Sequence, residues 1–544
     1  MFPRSSLFHY SPFATPQISM PTSIPVPVGR EWHDIKQVLS KITGGVRDPL
    51  QLMVVLKEVQ LCKRAVSGSP HSFSGVPLLF KGIPPDVTAH FLNHTLPIMA
   101  SELIRSNLSA GDLPHYISPA SQHRAVALTA HQVFLLLSAA FFGMYGPTPF
   151  DTCSRDISGA SINFGPLFDS VHKSTAAAKL HCFILYFIAM AAAVERSDER
   201  QLRRNIIFKR LDGGRHATAD QWAQSTARLL PVRVMGCADR IECSPGLQAD
   251  FANRVLGGGV LASGSVQEEI RFAISPELLV ARLIIPPLND TDAAVITGTK
   301  QFAFYSGYGR SFCCVGACGS ERQSAVVALD AIDFRGRSPW TQYSVASLLR
   351  ETNKAFSAVS ELELKSLPFA TGNWGCGVFG GDPQLKALIQ WMASSQAGVL
   401  MHYYPFDDKR INGLAVVCRL IVAAGWSVGD LWRFISRDED NLHRYGVFKC
   451  IMYHLQHHMQ SLSHGVGVHD RRRVGAASHY GALPSSLAPN DSSVTKCSTA
   501  TAFDRDMERT VDQCKQEMSG AGAETREQPE DHDDEEEELI SGFD

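Results

Sequence analysis

Three consecutive glycines, Gly257, Gly258 and Gly259, stand a short loop ahead of Gln267 and an acid pair, Glu268 and Glu269. The glycines strip every Cβ from one stretch of backbone, so a bulky ligand can approach the amides and positive φ angles cost little. Adjacent carboxylates beside Ile270 and Phe272 are costly unless they are exposed or employed. One reading is an acid pair at a helix terminus on a solvated face. The other is glycosidic acid/base chemistry, in which a carboxylic acid protonates a leaving oxygen and a carboxylate steadies positive charge on the sugar. Such a site needs one carboxyl protonated near neutral pH, which burial and a neighbouring carboxylate both favour. Upstream, Asp250 and Asn253 have the three-residue spacing that puts two side chains on one side of a helical turn or tight loop. Capping would account for either one alone.

A second glycine-dense stretch, Gly372 to Asp382 (GNWGCGVFGGD), precedes an amphipathic pattern from Leu385 to Met392. Bare amides ahead of a helix N-terminus suit a diphosphate, because both the donors and the dipole favour anions. A tight turn is the alternative. Neither glycine-rich loop is followed by a Walker lysine, which argues against a nucleoside triphosphatase. Cys313, Cys314 and Cys318 with His454, His457 and His458 lack a paired C-x-x-C arrangement, so packed thiols and a histidine-rich helix face are expected there, with no metal and no cofactor.

Elements must hold these loops in place. A chain of 544 residues, 44% hydrophobic and 19% charged, has the balance of a soluble globular protein and exceeds one ordinary core. The expected organisation is a disordered leader (1–25), a helical accessory domain (26–204), a catalytic domain (205–463) and a disordered acidic tail (464–544). Apolar residues recur at helical spacing in Ile35, Val38, Leu39 and Ile42, and again in Leu50, Met53, Val54, Leu56 and Val59. Thr129 and Gln132 have capping-box spacing ahead of Val133–Phe142, a run apolar on all sides that neighbours must enclose. After Asn205 the β-branched runs Arg233–Met235, Ala294–Thr297 and Gly398–Met401 alternate with helical windows, the texture of a sheet covered by helices. Ser275, Pro276 and Glu277 supply an N-cap, a first-turn proline and a dipole-matching acid, so the loop with the acid pair is expected to feed a helix through Leu278, Leu279 and Leu283.

A formal net charge of -3 provides no global basic field, so no direct sequence-specific nucleic-acid binding is expected. The apolar stretch Ala125–Tyr145 contains His131 and Gln132, and His181–Val194 is too short to span hydrocarbon; both read as buried helices, with no membrane association. Thirteen scattered cysteines, with no secretory signal read ahead of them, suit reduced thiols. The closing run QPEDHDDEEEELISGFD reads as a solvated tail, and Arg471–Arg473 as a short basic triplet compatible with nuclear entry.

The segment Asp250 to Phe272, DFANRVLGGGVLASGSVQEEIRF, resembles the signature of the poly(ADP-ribose) glycohydrolases, and the element GNWGCGVFGGD occurs in them too. The resemblance implies an α/β fold, with a macrodomain-like mixed sheet flanked by helices and an N-terminal all-helical accessory domain. It implies hydrolysis of O-glycosidic ribose-ribose bonds, mainly from the chain end, releasing ADP-ribose. By resemblance Glu269 is the proton donor, Glu268 orients the terminal ribose, and Asp250, Asn253 and Gln267 help hold that sugar while Gly257, Gly258 and Gly259 make room. Gly375, Cys376, Gly377, Val378 and Phe379 are carried over as diphosphate contacts. Tyr308 falls where an aromatic closes over the ligand, Phe406 where one stacks the adenine, and Ile241 with Glu242 where the adenine is recognised. Lys300, Phe302 and Phe304 depart from the acid and tyrosines expected in relatives. The partners implied are poly(ADP-ribose) and poly(ADP-ribosyl)ated proteins, met by a monomer in the nucleus during the response to DNA damage. A non-catalytic macrodomain-like reader of ADP-ribose would keep the diphosphate loop and adenine platform but would not need Gln267, Glu268 and Glu269.

Overall fold

A computed structural model describes residues 29–63, 70–106, 125–145, 162–170, 174–211, 217–437 and 439–464, together with Pro27 and Ile117. The leader, the acidic run and the Arg471–Arg473 triplet lie outside the described residues.

Ten strands are described: β1 (Ala125–Thr129), β2 (Asn205–Leu211), β3 (Val232–Val234), β4 (Leu247–Ala252), β5 (Ala293–Thr299), β6 (Ala303–Ser306), β7 (Cys313–Ala317), β8 (Ser324–Asp330), β9 (Phe369–Gly372) and β10 (Met401–Tyr404). Eight form one mixed sheet in the order β1-β2-β5-β8-β4-β9-β10-β3, and β6 pairs with β7 as a separate hairpin. The β1/β2, β2/β5 and β5/β8 pairs are antiparallel, whereas β4 runs parallel to both β8 and β9, and β10 runs parallel to β9 and β3. The expected mixed sheet flanked by helices is what the chain builds. The strand β1 sits inside the region read as all-helical: it leads into the capped helix Ala130–Phe141 and forms the outer edge of the sheet beside β2.

Side chains alternate across each strand, so the sheet divides two cores. Ala294 and Ile296 of β5 face one core, which also contains the N-terminal helices and the segment from Leu256 to Leu288. Ala293 and Val295 face the other, against the helices Val345–Val359 and Pro383–Ala397. The N-terminal helices and the glycine-acid segment therefore share one hydrophobic interior.

Thr129 caps its helix through the full capping box with Gln132, as the spacing predicts. Such a cap contributes roughly 1 kcal/mol. The helix Ser174–Glu195, which contains His181–Val194, is long and apolar enough to cross a membrane, yet 67% of its most apolar window is buried inside the protein. Ring pairs such as Phe141–Phe187 and Phe164–Phe183 show what encloses these helices.

Three local expectations change. The α-helix carrying the acid pair runs Gln267–Ile274, ahead of Ser275, whose side chain makes no cap hydrogen bond; Pro276–Val280 is a 3-10 turn leading into Ala281–Ile284. Glu277, expected as a dipole-matching acid, does lie in the first turn of that 3-10 segment, but its carboxylate is committed to a buried ion pair. It is fully buried, ion-paired with Arg204, and accepts the Lys300 amide at 3.0 Å. The strand expected over Gly398–Met401 begins at Met401, because Gly398 adopts φ 77° as the left-handed stop of the preceding helix.

Candidate active site

The parallel strands β4, β9 and β10 end side by side, and the chain leaves them as three loops: Asn253 onward, Asn373 onward and Pro405 onward. Ligands of open α/β sheets collect at such strand ends.

Asp250 lies on β4 itself, which replaces the helical turn or loop suggested by its spacing to Asn253; Asn253 is the first residue beyond the strand. Alternation turns Gln248 and Asp250 towards the helix Gln267–Ile274, where Arg271 donates to Gln248 Oε1 at 2.7 Å. Asp250 is wholly buried, and neither carboxyl oxygen has a hydrogen-bond partner among the described residues. Burial pushes its pKa up to about 8, with Arg271 opposing and Glu269 adding to the rise.

Glu268 and Glu269 occupy the second and third positions of their helix, both buried. Glu268 accepts the amides of Asn253 at 2.8 Å and Gly257 at 2.6 Å. Burial, followed by Asp250 and Glu269, holds the Glu268 carboxyl well above the usual range, while those two amides pull the other way. Glu269 accepts the amide of Gly259 at 2.9 Å through Oε1 and that of Val266 at 3.0 Å through Oε2. The Val266 bond is half of a capping box, so Glu269 also closes the start of its own helix. Each carboxylate oxygen still has lone-pair capacity to spare.

The glycines make this packing possible. Gly258 has φ 47°, and a Cβ there would fall 2.6 Å from Glu268 Oε2 and strike Glu269 Oε1 as well. Gly264 has the same role for Glu269, since a Cβ there would meet Glu269 Cδ at 2.6 Å. Sequence reasoning passed over Gly264, although it lies inside the same motif.

Gln267 opens the helix and fastens it to β4: its Oε1 accepts the Phe251 amide at 2.8 Å and its Nε2 donates to Ala249 O at 3.1 Å. Asn253 spends its side-chain oxygen on the Val255 amide at 3.0 Å. Both residues thus brace the loop from within.

A cleft opens beside Gln267, at the start of the helix that carries the acid pair, and its walls also include Ile241, Glu242, Arg271, Tyr308 and Phe406, whereas Asp250, Glu268 and Glu269 are not among the residues that line it. Tyr308 and Phe406 approach with ring centroids 5.2 Å apart and remain half exposed. Phe406 has φ 52°, a conformation that phenylalanine rarely adopts and that its neighbours must enforce. On the other wall, Glu242 accepts the Tyr305 hydroxyl, the Arg240 guanidinium lies 4.7 Å from the Tyr305 ring centre, and Arg322 donates to Glu242 O at 2.6 Å and Cys243 O at 2.8 Å. Tyr305, Arg240 and Arg322 were not singled out in the sequence, because their role depends on the β6–β7 hairpin folding over the 240–243 turn. Of the three departures, Lys300 pairs with Glu321 and Phe302 is buried against Tyr186, while Phe304 is exposed.

Asn373 lines the cleft, whereas Gly375, Cys376, Gly377, Val378 and Phe379 continue from it outside the lining. Gly375 has φ 73°, and a Cβ there would press on Ala331 at 2.6 Å and on Lys386 Nζ at 3.3 Å. The amides of Gly377, Val378 and Phe379 have no acceptor among the described residues, as an anion-binding loop requires. The following helix contributes less than its position suggests, because Asp382 already accepts its first amides, Gln384 at 2.7 Å and Leu385 at 3.3 Å. The Cys376 thiol is buried and directed to Trp374 O at 3.4 Å.

Cys313 and Cys314 lie on β7, and the His454 ring packs on Trp426 and Phe434. No group of three metal-binding side chains occurs among the described residues.

Two family models match the chain: "Poly (ADP-ribose) glycohydrolase (PARG), helical domain" over residues 83–210, and "Poly (ADP-ribose) glycohydrolase (PARG), Macro domain fold" over residues 219–413. Among curated proteins, the chain is 27% identical to a probable poly(ADP-ribose) glycohydrolase 2 of Arabidopsis thaliana, covering 82% of this chain and 98% of that one. It is 29% identical to poly(ADP-ribose) glycohydrolase 1 of the same plant over 57% of this chain and 69% of the relative. It is 34% identical to poly(ADP-ribose) glycohydrolase 1 of Caenorhabditis elegans over 37% of this chain and 28% of the relative.

Proposed function

The chain belongs to the poly(ADP-ribose) glycohydrolase family, and on that premise we propose that it hydrolyses the O-glycosidic ribose-ribose bonds of ADP-ribose polymers, chiefly from the chain end, releasing ADP-ribose. The observation that carries this reading is the acid pair, buried and held by four backbone amides of one glycine loop beside a cleft with aromatic walls. A protein that only binds ADP-ribose has no use for two buried glutamates held by the amides of one glycine loop.

Glu269, protonated, gives its proton to the 2′-oxygen of the departing adenosine ribose as the bond to the anomeric carbon breaks. Positive charge then spreads over that carbon and the ring oxygen, next to acidic side chains. Water adds to the anomeric carbon and returns a proton to Glu269, which acts first as acid and then as base. Glu268 holds the sugar hydroxyls in register. Asp250, desolvated behind the pair, keeps the cluster from carrying its full negative charge near neutral pH. The adenine end is received by Ile241, Glu242 and Phe406, with Tyr308 folding over the ligand, and the diphosphate by the free amides of the 375–379 loop.

The substrates in the cell would be poly(ADP-ribosyl)ated proteins, met by a monomer in the nucleus during the response to DNA damage. Digestion of labelled polymer by the wild type beside Glu269→Gln tests the chemistry. Free ADP-ribose is expected from the wild type alone. Release by the variant at the wild-type rate would remove Glu269 from the mechanism, and retention of polymer without cleavage by either protein would leave a reader of ADP-ribose.

A further inference from the structure

The loop that serves Glu268 and Glu269 with its amides must direct other peptide groups away from them, and those carbonyls are also taken. Lys179 Nζ donates to Ala262 O at 2.7 Å and to Gly264 O at 2.6 Å. Arg282 Nη1 donates to Gly258 O at 3.1 Å, and the N–H of that same peptide group is the Gly259 amide that binds Glu269 Oε1. Lys179 is 0% exposed. It comes from the helix Ser174–Glu195 of the N-terminal region and reaches the loop across the core that both share. A lysine within the apolar run AAAKLHCFILYF is costly to bury without dedicated acceptors, and two of its acceptors are outer carbonyls of the loop that carries the acid pair.

We infer that Lys179 is a positioning residue for catalysis: its Nζ, lent by the helical region, clamps the outer side of the 257–266 loop so that the inner amides hold Glu269 in its working orientation. Its bonds to residues 262 and 264 fix the turn at Gly264, the residue whose missing Cβ leaves room for the Glu269 carboxyl. Without the clamp the loop can rotate its peptide planes, and Glu269 loses alignment with the glycosidic oxygen. The residues proposed to bind adenine and diphosphate stand on other loops, and the Tyr308 segment meets the clamped loop through the Gly309 amide on Ser265 O at 3.0 Å.

The inference rests on the reading of Glu269 as proton donor. The test compares the full-length wild type with Lys179→Met, which keeps the length of the stem and removes the donors. Polymer-cleavage kcat, the Kd for ADP-ribose and the thermal midpoint are measured on both. Expected is a fall in kcat of about tenfold to a hundredfold, the scale of a misplacement near one ångström, with Kd changed less than about threefold in a folded protein. Full kcat in folded Lys179→Met overturns the inference. So does a parallel loss of kcat and ADP-ribose affinity, which marks a general structural role. If Lys179→Met does not fold, Lys179→Gln, which keeps one donor, is read in the same way; if neither folds, Lys179 is a fold residue and the inference fails. A wild type that releases no ADP-ribose refutes the proposed function itself, a result distinct from a wild type that cleaves beside an equally active variant.

Discussion

The two ends of the site are built on opposite plans. At the acid end, Asp250, Glu268 and Glu269 are buried, Glu268 and Glu269 each accept two amides, and glycines stand wherever a Cβ would collide. At the end proposed to receive the nucleotide, Tyr308, Phe406 and Val378 are 41%, 50% and 54% exposed, and three loop amides have no acceptor among the described residues. Groups that move a proton must be in place before substrate arrives, since any error in their position is a direct loss of rate. Groups that only grip a flat base and a diphosphate can wait for the ligand to complete them.

If the comparison holds, the largest effect comes from the acid end. Glu269→Gln is expected to lower polymer-cleavage kcat by about 10²–10⁴-fold while ADP-ribose binding stays within several-fold, measured by product release and by calorimetry. Gly258→Ala comes next. Its methyl would press on both carboxyls at a backbone with φ 47°, so kcat is expected to fall roughly tenfold to a hundredfold with a lowered thermal midpoint. An alanine variant with wild-type kcat would show that the carboxyls are less tightly seated than their contacts imply.

At the other end, Phe406→Ala is expected to raise KM by about tenfold with kcat little changed, because a lost base-aromatic stack weakens binding by about 1–3 kcal/mol. An equal loss in kcat would mean that the nucleotide end also orients the reacting bond and would erase the contrast. The last prediction concerns pH and is read in stability, not in rate. The folded-state pKa of Asp250, about 8, lies above its ordinary 3.8, so folding favours its protonated form. The stability this confers is complete below about pH 4 and is lost as pH rises through about 8. Asp250→Asn cannot ionise, and its thermal midpoint should decline less than that of the wild type across that window. Parallel declines would show that Asp250 is already ionised in the folded protein.

Local chemistry was legible where a few adjacent residues decide the outcome. The capping box of Thr129 and Gln132, the Gly257–Gly259 run ahead of Glu268 and Glu269, and the bare amides of the second glycine loop can all be read directly, because each depends on neighbours within a turn or two. Ser275 misled for the same reason: it has cap chemistry, but the tertiary fold had already spent the α-helix on Gln267–Ile274. Gly398 read as the start of a strand because Val399, Leu400 and Met401 follow it, while its left-handed φ ends a helix instead.

By itself, then, the sequence determined the chemical parts of this protein: which acids, which glycines, which aromatics, and the family whose signature they form. Only the tertiary structure decided who holds them. That β1 of the helical region edges the catalytic sheet, that Lys179 reaches the loop from a helix far earlier in the chain, and that Tyr305 and Arg240 steady Glu242 are all contacts between distant segments. Such contacts leave no periodicity or spacing to read, because burial and hydrogen-bond geometry select the partners only once the two cores have closed around the sheet.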